Sequence, residues 1–136
     1  KIIKEIKKIY DPEIPVNIYE LGLIYKIEVD KEQTFPVVRV RGEVDIYTCP
    51  KLNKILMDVI GGGALSFVID LEGTRYIDST GLGTIAYAAR SLQEKEGRIN
   101  VICTHQRIKK IFDVSGLGKK NIQLFDREED AMVDLN

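Results

Sequence analysis

The strongest constraint on this chain is a short unbroken apolar run, Phe67-Val68-Ile69, closed by Leu71. A run of strand length without alternation suits a strand buried on both faces, as in a parallel sheet covered by helices. Ile99 to Cys103, apolar but for Asn100, reads as another buried strand. Around these two runs lie stretches with helical periodicity. Leu52, Ile55, Leu56, Val59 and Ile60 form one apolar stripe, with Thr48 as a cap, Pro50 in the first turn and Gly61-Gly62-Gly63 as the stop. Leu82, Ile85, Ala86, Ala89 and Leu92 form a second, predicting a helix from about Leu82 to Gln93. Ile108, Ile111 and Phe112 mark a short helix over Arg107 to Phe112, and Ile122 to Phe125 reads as a last strand. Asp126, with Glu129 three residues later, reads as an acidic capping box opening a C-terminal helix. Strands alternating with helices predict a mainly parallel α/β sheet.

The upstream third has a different texture. In Phe35 to Val44, Val38 and Val40 fall on one face and Arg39 and Arg41 on the other. Leu23 to Val29 also alternates, and the polar stretch Asp30 to Thr34 can turn between them, so the two predict an antiparallel hairpin at one edge of the sheet. Glu13 to Leu21 contains Pro15 and reads as an irregular loop. Lys1 to Tyr10 puts Ile2, Ile3, Ile6 and Ile9 on one helical face among lysines, and Asp11-Pro12 stops that helix. Its isoleucine stripe must be covered by this chain's sheet edge or by a second copy, which makes a homo-oligomer through the N-terminal helix one expectation. Val38 and Val40 need a neighbouring strand, so deleting Lys1 to Asp30 should unfold or aggregate the protein.

Composition removes several function classes. The 136 residues carry 20 Lys and Arg against 21 Asp and Glu, a net charge of -1, which gives no electrostatic case for nucleic acid or an anionic membrane surface. No apolar run approaches the length of a membrane span. The first residues lack the apolar core and cleavage site of a secretory signal, so a cytoplasmic location is expected. Cys49 and Cys103 form no CxxC pair, which argues against a disulfide framework or a structural zinc site. A Ser-His-Asp triad could use only His105. Arg107, Lys109, Lys110, Lys119 and Lys120 make a local basic cluster whose default explanation is a solvated face.

The most informative segment is Ile77-Asp78-Ser79-Thr80-Gly81-Leu82-Gly83, which joins a strand-like stretch to an amphipathic helix. Ser79 and Thr80 therefore sit at or just before a helix N-terminus, where backbone N–H groups lack partners. One explanation is structural: either residue is an N-cap, and the glycines permit close packing. The other is a phosphoacceptor, whose phosphate would meet the helix dipole and free N–H donors and would add about -1.5 to -2 charge to a protruding loop.

With these residues in place, the chain resembles a STAS domain, and in particular the bacterial anti-sigma factor antagonists. The resemblance is carried by Val38-Arg39-Val40-Arg41-Gly42-Glu43-Val44-Asp45, Phe67-Val68-Ile69-Asp70-Leu71, the Ile77 to Gly83 segment, Val101-Ile102-Cys103-Thr104, and Arg107 to Leu117. It covers about residues 23 to 135. It implies a mixed, mainly parallel STAS sheet with an N-terminal β-hairpin and packed helices, to which this chain adds an N-terminal helix. It further implies a protein that is not an enzyme and needs no cofactor. Such a protein binds an anti-sigma factor that is also a serine kinase, and this frees a sigma factor. The kinase then phosphorylates the serine of the Asp-Ser-x-Gly-Leu-Gly motif and the complex dissociates, until a phosphatase of the PP2C type restores the active form. The implied acceptor is Ser79, with Thr80 the weaker candidate. The implied partner-binding residues are Asp45, Asp78, Ser79, Thr80 and Gly81. Asp45 has two readings, a carboxylate close to the phosphorylation loop or a solvated strand end, and Asp78 is expected to shape the loop.

Residues 1–22 belong to another pattern. Asp11-Pro12-Glu13-Ile14-Pro15-Val16-Asn17-Ile18 and Glu20-Leu21-Gly22-Leu23-Ile24-Tyr25 resemble the opening of small iron–sulfur cluster assembly factors. Those domains carry a functional cysteine before a proline after the second strand, a place that Cys49-Pro50 occupies here, although the same residues suit the start of a STAS helix. The rest of such a domain is absent. The chain thus reads as residues 1–22 joined to a STAS domain at 23–136, a chimera of natural or engineered origin. The alternatives to partner switching are a chimera without physiological role, an iron–sulfur carrier using Cys49, and a STAS module that takes a nucleotide or lipid.

Overall fold

The computed structural model describes residues 16–21, 25–30, 35–116 and 121–136. The predicted helix over Lys1 to Tyr10, the turn at 31–34 and the lysines Lys119 and Lys120 lie outside the described residues.

Six strands form one sheet in sequence order: β1 (Val16–Leu21), β2 (Tyr25–Asp30), β3 (Val37–Val44), β4 (Phe67–Ile77), β5 (Ile99–Ile102) and β6 (Ile122–Phe125). The first three pair antiparallel and the last four parallel. The parallel strands are connected by α1 (Cys49–Gly61), α2 (Ser79–Gln93) and α3 (Gln106–Ser115), and α4 (Glu128–Leu135) follows β6. Neighbouring parallel strands with right-handed crossovers place all three connecting helices on one face. The packing agrees: Leu52, Leu56, Ile85, Leu92, Ile108 and Phe112 bury into one core with Val38, Val40 and Ile69. The opposite face carries a smaller core, in which Val37, Val68 and Ile102 meet Ala131 of α4.

The predicted hairpin is present, with Ile27 opposite Val40 and Val29 opposite Val38, all buried. Arg39, on the other face, reaches Asp30, Asp70 and Glu128 at 3.3, 3.2 and 2.9 Å. One guanidinium therefore ties β2, β4 and α4 to β3.

Several boundaries differ from expectation. Val16–Leu21, read as loop because of Pro15, is a strand: Val16 faces Asp30 and Leu21 faces Tyr25 along a continuous antiparallel register. The prolines lie before this strand, and its β-branched and aromatic residues suit a sheet edge. The domain boundary expected at residue 22 accordingly falls within one sheet. β4 runs six residues past Leu71, because its outer half keeps pairing with β3 after β5 has ended at Ile102, opposite Asp70. Two register shifts and Gly73 let this outer half lie against Arg41, whose Cγ would stand 2.7 Å from a Cβ at that position. α2 begins at Ser79 and not at Leu82. α4 is preceded by Arg127, not by a capping Asp126, whose carboxylate is held by Lys109 at 2.8 Å.

Candidate functional site

A single residue, Asp78, separates β4 from α2. Its backbone N–H bonds to the Val44 carbonyl at 3.1 Å, which fixes the end of β4 to the end of β3. Its carboxylate then turns back on the helix. Oδ1 accepts from the backbone N–H groups of Thr80 and Gly81, each at 3.0 Å, and from the Thr80 hydroxyl. The Thr80 hydroxyl, followed by the Gly81 and Thr80 N–H groups, holds the Asp78 carboxyl below its ordinary range against the opposing effect of burial. The cap is thus Asp78, while Ser79 and Thr80 are the first two residues of the helix.

This arrangement separates the two hydroxyls. Thr80 donates to Asp78 and is half-buried. Ser79 is exposed, and its hydroxyl makes no hydrogen bond within the described residues. It also changes the expected setting of a phosphate, because the Thr80 and Gly81 N–H groups are already taken by a carboxylate. A phosphoryl group on Ser79 would project outward next to that negative charge.

Gly81 faces inward. A Cβ there would stand 2.6 Å from Val44 Cγ1 and 2.7 Å from Ile77 Cγ1. The glycine lets the first turn of α2 press against the ends of β3 and β4, which sets the position of Ser79 above the rim.

Asp45 immediately follows β3 and builds the next turn. Its Oδ1 accepts from the Tyr47 N–H at 2.9 Å and the Thr48 N–H at 3.1 Å, while its own N–H donates to Thr48 Oγ1 at 2.9 Å. The Thr48 hydroxyl donates back to the Glu43 carbonyl at 3.0 Å, so Thr48 precedes α1 without capping it through its side chain. Asp45 and Ser79 share the C-terminal end of two adjacent strands, with Val44 opposite Ile77, and no direct hydrogen bond joins them. The turn that Asp45 holds displays Ile46 and Tyr47, which are 60% and 85% exposed. Tyr76, at the end of β4, and Tyr87, two turns along α2 from Ser79, are also exposed. Sequence reasoning missed these apolar residues. The available signals were their places beside the Asp45 turn and off the apolar stripe of α2.

The remaining candidates lie elsewhere. Cys49 opens α1, half-buried, with Sγ 3.9 Å from the Ile46 carbonyl. Among the described residues no three His, Cys, Asp or Glu side chains converge as a metal site would require. Cys103 is fully buried, and burial pushes its thiol above the ordinary value. His105 precedes α3 with Nε2 3.1 Å from the Glu72 carbonyl, in no nucleophilic constellation. A cavity of about 240 Å³ beside Arg90, Gln93 and Asn121 is smaller than ordinary small-molecule sites. Among the described residues no helix is long and apolar enough to cross a membrane.

Comparison with known proteins agrees with this architecture. The sequence profile of the STAS domain matches residues 26–131. The anti-sigma-B factor antagonist of Staphylococcus aureus is 32% identical over 91 residues, which span 67% of this chain and 84% of that protein. The Staphylococcus epidermidis protein of the same name matches to the same extent. Among solved structures, an anti-sigma factor antagonist from Mycobacterium paratuberculosis superposes with a TM-score of 0.76 at 24% identity, covering 86% of this chain and 98% of that one. The antagonist SpoIIAA in its unphosphorylated form gives 0.67 at 24% identity, over 79% and 94%. The profile begins after the Asp11 to Tyr25 strings, and these matches give no support to an iron–sulfur segment or a chimera. A profile covering most of the chain, a relative at 32% identity and the six-stranded mixed sheet agree: the chain belongs to the STAS domain family.

Proposed function

We propose that the chain is an anti-sigma factor antagonist that switches partners through phosphorylation of Ser79. The observation that carries this reading is the contrast at the start of α2, where the Thr80 hydroxyl is engaged by Asp78 and the Ser79 hydroxyl is exposed with no hydrogen-bond partner among the described residues. Only Ser79 can be presented to a kinase without dismantling the cap. The names of the Staphylococcus relatives support the antagonist role, and the similar SpoIIAA is known in unphosphorylated and phosphorylated forms.

In this reading the unphosphorylated chain binds a cytoplasmic anti-sigma factor that is also a serine kinase, and the sigma factor is freed. The kinase moves the γ-phosphoryl group of ATP onto Ser79 Oγ, which loses its proton, and ADP leaves. The new group carries about -1.5 to -2 charge. It stands beside the Asp78 carboxylate, whose N–H partners it cannot take without breaking the cap. The phosphate therefore acts at the surface, against the partner, while the fold stays as it is. A PP2C-type phosphatase resets the switch. The chain itself catalyses nothing. The switching domain is residues 23–136, with Val16–Leu21 adding an edge strand.

The test is incubation with the anti-sigma factor kinase of the same genome and ATP, followed by mass spectrometry. Phosphate is expected on Ser79, and Ser79→Ala should fold normally and take none. Comparable phosphate on the Ala variant would sink the assignment.

A further inference from the structure

Of the two glycines in the first turns of α2, one is explained by packing and the other is not. Gly81 leaves no room for a Cβ, whereas a Cβ on Gly83 would meet nothing within 4 Å. Gly83 is exposed, lies in the second turn of the helix and has no positive φ. Neither contact nor backbone conformation calls for glycine there, and a helix-interior glycine lowers the folding equilibrium about fivefold relative to alanine. Nothing among the described residues compensates this cost, which points to a gain made with a binding partner.

The geometry of a helix indicates that gain. Residues four apart share a face, and each side chain leans toward the helix N-terminus. Any side chain at 83 would lean over Ser79. Tyr87, four residues further, is 54% exposed on the same face. From Ser79 to Tyr87 the surface is thus a hydroxyl, a bare stretch of backbone and an aromatic ring.

We propose that Gly83 is a specificity-determining residue for phosphorylation: its missing side chain leaves the Ser79 hydroxyl uncovered and gives the anti-sigma factor kinase a backbone-close seat between Ser79 and Tyr87. This inference rests on the partner-switching reading. The occupant is the kinase because the bare stretch adjoins the Ser79 hydroxyl, the one of the two motif hydroxyls that Asp78 does not engage, and lies at the same end of the sheet as the exposed Ile46 and Tyr47.

The experiment compares the parent with Gly83→Ala and Gly83→Gln, reading thermal midpoints, the rate of phosphate incorporation at Ser79, and binding of the kinase to the unphosphorylated protein. Gly83→Ala should raise the midpoint by about 3 °C and slow phosphorylation about tenfold or more, with Gly83→Gln slower still. A lowered midpoint would overturn the inference by showing that the glycine serves the fold. So would phosphorylation and binding within twofold of the parent in both variants. If the parent takes no phosphate at Ser79, the partner-switching reading fails, and this inference with it. If the parent is phosphorylated and the variants match it, only the role of Gly83 fails.

Discussion

Replacing Asp78 by alanine removes three hydrogen bonds at once: those from the Thr80 and Gly81 N–H groups at 3.0 Å and that from the Thr80 hydroxyl. Loss of an N-cap side chain costs about 1 kcal/mol and up to about 2 when its bonds are good. The charge of Asp78 also lies at the positive end of the helix dipole, so the upper half of that range is expected, about 1.5 to 2 kcal/mol. For a chain of this size that corresponds to a fall in midpoint of roughly 5 to 8 °C. The effect carries a pH signature. The folded-state pKa of Asp78 is depressed, so its contribution is fully present above the unfolded value, near 3.9, and is lost as pH falls through the lower folded value. Urea melts followed by circular dichroism should show the full gap between parent and Asp78→Ala at pH 7. The gap should narrow below about pH 4, and Asp78→Asn, which keeps an acceptor oxygen, should recover part of the loss without the pH dependence. A gap under about 0.5 kcal/mol at pH 7, or one unchanged at pH 3, would refute the assignment of Asp78 as the charged cap.

Gly81→Ala drives a methyl group against Val44 and Ile77 and should cost about 1 to 3 kcal/mol, against the gain expected at Gly83; denaturant melts of the two alanine variants side by side decide whether the glycines differ as described. Alkylation of the native protein with iodoacetamide should modify Cys49 well before Cys103, whose thiol is buried and raised, and only unfolding should equalise them, as peptide mass spectrometry would show. Deleting residues 1–30 removes β1 and β2, uncovers Val38 and Val40 and should give an unfolded or aggregated product; a melt like that of the parent would mean that β3 tolerates life at the edge.

The parallel half of the fold was legible because its signals are local and redundant. Phe67-Val68-Ile69 and Ile99 to Cys103 suit buried strands, and the stripes of α1 and α2 show which face each helix presents. The errors fell where pairing overrides local pattern. Val16–Leu21 is a strand because β2 offers it an open edge, and no periodicity within six residues reveals that. The outer half of β4 loses the apolar run yet continues, because β3 continues beside it. At the site, the motif singled out Ser79 and Thr80 but could not rank them by bonding. The ranking comes from which hydroxyl reaches Asp78 Oδ1, a matter of backbone angles at the cap. Asp45 was left with two readings, and its bonds to Tyr47 and Thr48 show a turn-builder that sets exposed apolar residues at the same end of the sheet as Ser79.

The two faces of the sheet are covered unequally, and this bears on how the molecule breathes. Three helices and most of the large buried side chains lie on one face, while among the described residues the other is covered by the eight residues of α4 over Val37, Val68 and Ile102. Much of the hold on α4 is polar. Arg39 grips Glu128, Arg98 grips Asp134, and the buried Asn100 amide donates to the Ala131 carbonyl and to Asp134. Amide protons of α4 should therefore exchange with solvent through partial openings that leave α1, α2 and the switch loop closed, at a free energy below that of global unfolding. Exchange in α4 that leaves the amide protons of α1 and α2 protected would show that this face of the sheet opens without disturbing Ser79.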